Sequence, residues 1–391
     1  VISSSSPRPE PLWTPAFVAL LVVNALLCLG FYMLPATLPA HVKLIGGTHF
    51  QASLVIGTFS IMSLLARFIS GAVVDAVGER PVILAGILII AATTLSFVWL
   101  PINGILLLRS VQGIGWGLAT AAIATAVFKI VPESRRGEGS GYYVLTVIAA
   151  LSLTPLVAIL LMDSFSFTVL LSISALLAFA AVVLLRRALS ALPPATTRRE
   201  VSLRNVFEPG ALVPALLCFL NSIPLCGVMA YLVLFGREQQ MDRLWVFFVG
   251  YALMILATRP FIGRLFDRSG HGVIIVPGCV AMVLGLLVLS QTQTSAMLVV
   301  ASLLYGLGYG AVHPSLQAWA VNRCPADRKA AANGLFLSAI DLGYIVGAIS
   351  LGHLAGVVGY AAMYLYSSAV LVLFVAVYLA EIAKTRKPRL A

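Results

Sequence analysis

The sequence predicts an all-α integral membrane protein with twelve transmembrane helices in two pseudo-symmetric six-helix bundles. Three observations carry that expectation: the oiliness of the whole chain, its division into runs of spanning length, and a polar phrase written twice. Of 391 residues, 60% are hydrophobic and only 10% charged, with a mean hydropathy of +1.03. A soluble domain is about half apolar and about a quarter charged. A fold in water must cover itself with polar groups, and this chain has too few. Lipid is the solvent for most of its surface.

A membrane helix needs roughly 20 mostly apolar residues and satisfies its own backbone. Such runs fall near 14–40, 49–73, 82–100, 103–130, 139–162 and 165–185. They resume near 210–235, 243–266, 273–291, 294–321, 331–355 and 360–380. The expected organisation is a tail (1–13), a bundle (14–185), a linker (186–209), a second bundle (210–380) and a second tail (381–391). Pro193 and Pro194 stop a helix within the basic linker. Continuous apolarity excludes a membrane β-barrel, whose strands alternate apolar and polar residues. The polar, proline-rich opening does not read as a secretory signal. Cys28, Cys218, Cys226, Cys279 and Cys324 show no C-x-x-C spacing, so they read as buried apolar side chains rather than disulfides or metal ligands.

Charge sets the orientation. With both termini cytoplasmic, 19 of the 25 Lys and Arg residues fall in inside segments. Only Lys43, Arg237 and Arg243 lie outside, and Arg67, Arg109 and Arg259 lie within spans. The positive-inside rule demands such a bias. The net charge of +11 therefore reports topology and contact with anionic lipid. The bases are scattered over short loops, which argues against a nucleic-acid partner.

The repeated phrase relates the two bundles. "ARFISGAVVDAVGER" aligns with "TRPFIGRLFDRSGHG" at an offset of 192, pairing Arg67 with Arg259, Gly71 with Gly263, Asp75 with Asp267 and Gly78 with Gly270. One inserted residue later, "GIGWG" (113–117) pairs with "GLGYG" (306–310), and "VPESRRGEGSG" (131–141) with "CPADRKAAANG" (324–334). One half is a copy of the other. Repeats of this kind place a substrate site at their interface near the bilayer midplane, as in an alternating-access carrier.

These residues resemble the major facilitator superfamily over essentially the whole chain. Residues 71–80, "GAVVDAVGER", look like its G-x-x-x-D-(R/K)-x-G-(R/K)-(R/K) loop after the second span, and the second copy follows the eighth. "LLLRSVQGIGWG" (106–117) looks like the Arg-x-x-Gln-Gly signature of proton-coupled members. "RRGEGSGYY" and "AIDLGYIVGA" are similar to stretches of bacterial drug and metallophore exporters. Two departures stand out: Ala76 and Glu79 replace basic residues of the loop, and only Pro155 of the fifth-span antiporter signature survives. The resemblance implies a proton-driven exporter of a small drug-like or metallophore-like compound in the bacterial inner membrane, acting as a monomer without cofactor or metal. Uptake of a small polar nutrient and flipping of a lipid-like solute are the alternatives.

Candidate residues follow from cost. Ten residues at 1.5 Å each place Asp341 roughly 15 Å along its helix, near mid-bilayer. An ionised carboxylate there costs at least about 2.5 kcal/mol, so Asp341 reads as a proton site or an anchor for a cationic substrate. Packing against a neighbouring helix is the plainer reading. Arg109, about 9 Å inside the outer end of its helix, needs a carboxylate, carbonyl or water beside it. The resemblance gives it a part in proton coupling; snorkelling to the interface is the alternative. Glu138 reads as a first-turn partner of the helix dipole or as a cavity-facing proton relay.

Asp75 and Asp267 suit conformational gating, with Arg67 and Arg259 as local partners and Gly71, Gly78, Arg80 and Gly263 completing the two loops. An ordinary interfacial ion pair is the plainer reading. By family analogy the first, fourth, seventh and tenth helices are central. They carry Asn24, Tyr32, Trp116, Asn221, Met229, Tyr305, Tyr309, His313 and Gln317, a set suited to an amphipathic ligand together with Tyr344. Tyr and Trp are equally interface anchors. An enzyme is not expected, because no H-E-x-x-H and no hydrolase serine spacing is present. No polar stretch is long enough for a nucleotide-binding domain, which argues against an ATP-driven pump.

Overall fold

The computed structural model describes residues 11–132, 135–189, 208–241, 243–325 and 328–386. Residues 190–207 of the expected linker and the side chains of Asp75 and Asp267 lie outside the described residues. The described chain is helical, with no strand among its residues. The first half contains α1 (Pro15–Leu44), α2 (His49–Val77), α3 (Glu79–Ser96), α4 (Ile102–Ile130), α5 (Arg136–Ser164) and α6 (Phe167–Leu189). After a 3-10 turn (Pro209–Ala211), the second contains α7 (Leu212–Glu238), α8 (Trp245–Ser269), α9 (Gly272–Ser290) and α10 (Ser295–Asn322). The stretch Lys329–Arg386 is broken at Gly359 (φ 81°, ψ 166°) into α11 (329–358) and α12 (360–386).

Local chemistry sets the ends. Thr48 Oγ1 accepts from the Gln51 amide at 3.1 Å while Gln51 Oε1 accepts from the Thr48 amide at 2.9 Å, a capping box that starts α2. Thr14 caps α1, with Pro15 at the first helical position where its missing N–H costs nothing. Gly78 (φ 85°) joins α2 to α3 and its repeat partner Gly270 (φ 71°) joins α8 to α9. That left-handed backbone favours glycine, and it explains why both copies of the phrase retain one. Several helices outrun their apolar cores: α6 enters the expected linker at Leu189 and α12 continues to Arg386. Lys, Arg and Glu are good helix formers, so leaving the bilayer does not end the helix.

The duplication is reproduced contact by contact. A side chain at Gly113 would strike the Phe59 carbonyl, and one at Gly306 the carbonyl of Tyr251. Gly115 lies against Gly86 as Gly308 lies against Gly278, and Gly117 meets Ser63 and Ala66 where Gly310 meets Ile255 and Thr258. Each partner is displaced by the same 192 or 193 residues. Small residues let helix backbones approach closely in lipid, where packing rather than hydrophobicity drives association. The glycines thus fix α4 against α2 and α3, and α10 against α8 and α9.

The halves share an apolar seam. Ala40, Ile56, Ile148 and Ile159 of the first half belong to the same buried cluster as the second half's core. Among the described residues Arg80, Lys129, Arg135, Arg268, Arg323 and Arg328 lie at one end of the helices, here called the basic face. At the opposite face α2 and α11 are in close contact: Gly57 faces Ile349, Gly352 packs on Ser53 and Tyr231, and His49 Nδ1 lies 3.1 Å from the Tyr360 hydroxyl. Toward the basic face they part. A side chain added at Gly71, Gly141, Gly263 or Gly334 would meet nothing within 4 Å.

Candidate functional site

Between the halves lies a cavity lined by α1, α2, α4, α5, α7, α10 and α11. Phe31 forms its aromatic floor, with ring centroids 3.9 Å from Trp116 and 4.7 Å from Phe59. Tyr32 meets Trp116 edge-on at 5.9 Å. On the other wall Tyr309 stacks on His313 at 5.1 Å, and Met229, Tyr344 and Leu225 add bulk. Asn24 donates to Thr146 Oγ1 at 2.7 Å, and Gln317 donates to Asn333 Oδ1 at 2.9 Å.

Two arginines reach this space in different ways. Arg67 Nε donates to Asp341 Oδ2 at 3.1 Å, an ion pair between α2 and α11 that crosses from one half to the other. Both side chains are 15% exposed, through the cavity wall they share. Arg109 is fully buried. Its Nε donates to the Val55 carbonyl at 2.9 Å, its Nη1 to Gln112 Oε1 at 2.5 Å, and Gln112 donates onward to Thr94 at 2.7 Å. Its guanidinium sits 4.4 Å from the Phe59 ring centroid. A cation in this place is held by dipoles and a π face rather than by an acid. Arg109 therefore does not snorkel outward; it turns into the protein.

The structure gathers Asn24, Tyr32, Arg109, Trp116, Met229, Tyr309, His313, Gln317, Asp341 and Tyr344 on one cavity. It separates others. Tyr305 is 1% exposed and packs against Gly285 and Tyr251, inside the second half's core rather than on the cavity. Asn221 is fully buried, and neither side-chain amide atom has a hydrogen-bond partner; it too is absent from the lining. Each lies one turn from a lining residue on nearly the same helix face, Asn221 from Leu225 and Tyr305 from Tyr309, so their position along the helix, which periodicity does not report, sets them apart. Glu138 binds Arg135 at 2.9 and 3.0 Å and borders a smaller hollow with Tyr142 and Arg259, away from the central cavity. Arg67 forms an ion pair with Asp341 on α11, while the side chain of its expected local partner Asp75 lies outside the described residues. Gly71 and Gly263 face open space, and Arg80 lies just beyond the Gly78 turn. Phe31, Phe59, Tyr143 and Asn333 also line the cavity, though the sequence reading passed over them. All five cysteines are free and buried.

Among the described residues ten helical stretches are long and apolar enough to cross a membrane, and one of them, 331–384, holds α11 and α12 together. The fold and cavity are those of a multi-pass membrane transporter. The Major Facilitator Superfamily model matches residues 20–348 and 244–391, and the chain belongs to that superfamily. It is 24% identical over 358 residues to an uncharacterized MFS-type transporter of Methanocaldococcus jannaschii, covering 87% of this chain and 91% of the relative. It is 21% identical over 363 residues to the staphylopine export protein of Staphylococcus aureus, covering 87% and 90%. Among solved structures, a POT family transporter in complex with 5-aminolevulinic acid superposes with a TM-score of 0.79 at 14% identity, over 95% of this chain and 96% of that one. The nucleoside transporter NupG superposes with a TM-score of 0.73 at 15% identity, over 93% and 99%. The protein is a transporter, not an enzyme.

Proposed function

We propose that this transporter is a proton-coupled exporter working by alternating access, which moves a small amphipathic compound out of the cytoplasm across the inner membrane. The observation that carries the reading is the Arg67–Asp341 ion pair, which ties α2 to α11 across the two halves inside the cavity. A proton taken up by Asp341 cancels the attraction and frees Arg67, so protonation biases how the halves sit against each other. The cavity reaches toward the basic face, the cytoplasmic one by the positive-inside rule. A substrate enters there while the opposite face is shut. Proton entry from the opposite face, after the halves have rocked, completes an exchange. The export protein among the relatives supports the outward direction.

Everted membrane vesicles with an acid interior test this. The probes are a panel of dansyl compounds of all charge types: dansylcadaverine (cationic), dansylamide (neutral) and dansylglycine (anionic). Vesicles holding the wild-type chain should accumulate at least one probe, lose that accumulation when nigericin collapses the pH gradient, and accumulate none with Asp341→Asn. Accumulation unaffected by nigericin, or undiminished in Asp341→Asn, would overturn the proton-coupled reading.

A further inference from the structure

Among the described residues the central cavity is lined by one acid, Asp341, and by two arginines, Arg67 and Arg109, with no other carboxylate, lysine or arginine. Arg109 has no exposed surface, and its Nε and Nη1 are taken by the Val55 carbonyl and Gln112. Arg67 and Asp341 are therefore the charges that a ligand meets, one of each sign, each with 15% of its side chain exposed.

Their contact is a partial one. Arg67 donates from Nε to Asp341 Oδ2 in a single hydrogen bond of 3.1 Å. A guanidinium presents a planar fork of N–H donors, and a carboxylate that fills it takes two parallel hydrogen bonds. Among the described residues neither Nη of Arg67 makes a hydrogen bond, so most of its fork is unspent. An ionised carboxylate likewise accepts more than one hydrogen bond. A second partner can join each member without parting the pair.

The sign of that partner follows from the neutrality of the pair. A cation drawn to Asp341 stands beside the Arg67 guanidinium, and an anion drawn to Arg67 stands beside the Asp341 carboxylate. Each is attracted by one member and repelled by the other at a similar distance, so the two contributions largely cancel. A ligand that carries both charges close together lies antiparallel to the pair and gains at both ends. We propose that the substrate is a zwitterion with an amino-acid-like head, whose carboxylate docks on the Arg67 Nη atoms and whose ammonium docks on Asp341, while an apolar body reaches the aromatic floor. The spacing suits a tethered body: Ile56, Phe59, Ser60 and Arg67 line the cavity from α2, and Phe59 is eight residues, about 12 Å of helix, from Arg67. The proposal deepens the transport reading, since it rests on the central cavity being the substrate site. It also gives the exchanged proton something to displace, because a protonated Asp341 no longer attracts an ammonium.

Equilibrium dialysis against the purified full-length chain in detergent, at fixed neutral pH and without any gradient, tests the proposal apart from proton coupling. The probes are ε-dansyl-lysine, which carries the zwitterionic head on a methylene tether, and its two halves. Dansylcadaverine is that molecule without the carboxylate, and dansylaminohexanoic acid is that molecule without the ammonium. The wild-type chain should bind ε-dansyl-lysine at least about ten-fold tighter than either analogue, one charge-assisted hydrogen bond being the difference. Asp341→Asn should erase the preference over dansylaminohexanoic acid, and Arg67→Gln the preference over dansylcadaverine. Thermal unfolding and gel filtration verify the fold of each variant, and the comparison of probes on the wild-type chain needs no substitution. Binding of either analogue as tightly as ε-dansyl-lysine, no binding of ε-dansyl-lysine, or a full preference over dansylaminohexanoic acid in a folded Asp341→Asn would each overturn the proposal. Should the vesicle experiment fail while the zwitterion is still preferred, the site stands and only proton coupling falls. Should vesicles accumulate a probe while the preference is missing, the exporter stands and the zwitterion falls.

Discussion

Arg67 and Asp341 are 274 residues apart in sequence and 3.1 Å apart in space. Neither residue alone reveals the other: the sequence shows that each charge in a span needs a partner, not which one. Partnership makes a measurable demand on stability. Removing one member of a buried pair leaves the other uncompensated, at a cost of about 3–5 kcal/mol, whereas replacing both by apolar groups is often neutral. The wall of a cavity is partly wet, which places this pair at the lower end. Arg67→Met is expected to destabilise the chain by about 3 kcal/mol, and Asp341→Leu added to it to recover most of the loss. A double-mutant cycle by thermal or denaturant unfolding in detergent measures the coupling. Additive losses would show that the two side chains do not stabilise each other.

At the level of helices, spans and repeat were legible in the sequence because each rests on composition or spacing. Twelve apolar runs became twelve helices, and glycines in register became contacts in register. The extent of the cavity along each helix was not legible. Tyr305 and Tyr309 lie one turn apart on nearly the same face of α10, yet one packs in the second half's core and the other lines the cavity. Core and cavity wall accept the same aromatic residue types, so the sequence does not mark the level at which one gives way to the other. The glycine contacts are where the helix level can be tested. Gly308 leaves no room for a side chain beside the Gly278 carbonyl and Met282, and Gly115 occupies the same place beside Gly86 and Ile89. Gly308→Leu is expected to displace α10 from α9 and Gly115→Leu to displace α4 from α3. Each should lower the unfolding temperature measurably, by an overpacking cost of about 1–3 kcal/mol or more. A substitution at Gly71 or Gly263, both beside open space, should leave unfolding unchanged.

For the whole molecule, the arrangement is asymmetric across the bilayer although the chain is symmetric along its length. The halves meet at one face and separate at the other, and the proposed alternating access requires that closed face to open in turn. The contact between α2 and α11 offers a lock. A Cβ placed on Gly356 lies 3.5 Å from the Cβ of His49. Disulfides form with Cβ atoms about 3.5–4.5 Å apart. His49→Cys with Gly356→Cys is therefore expected to oxidise without a crosslinker and to hold the opposite face shut. Cys28, which lines the cavity, can report the consequence when the other native cysteines are replaced by serine. In oriented vesicles a membrane-impermeant methanethiosulfonate reagent added at the opposite face should label Cys28 in the parent chain. The oxidised double variant should resist labelling, and dithiothreitol should restore it. If Cys28 is modified equally before and after oxidation, the reagent reaches the cavity without parting α2 from α11. Rocking of the two halves about this contact would then not be how the cavity changes sides.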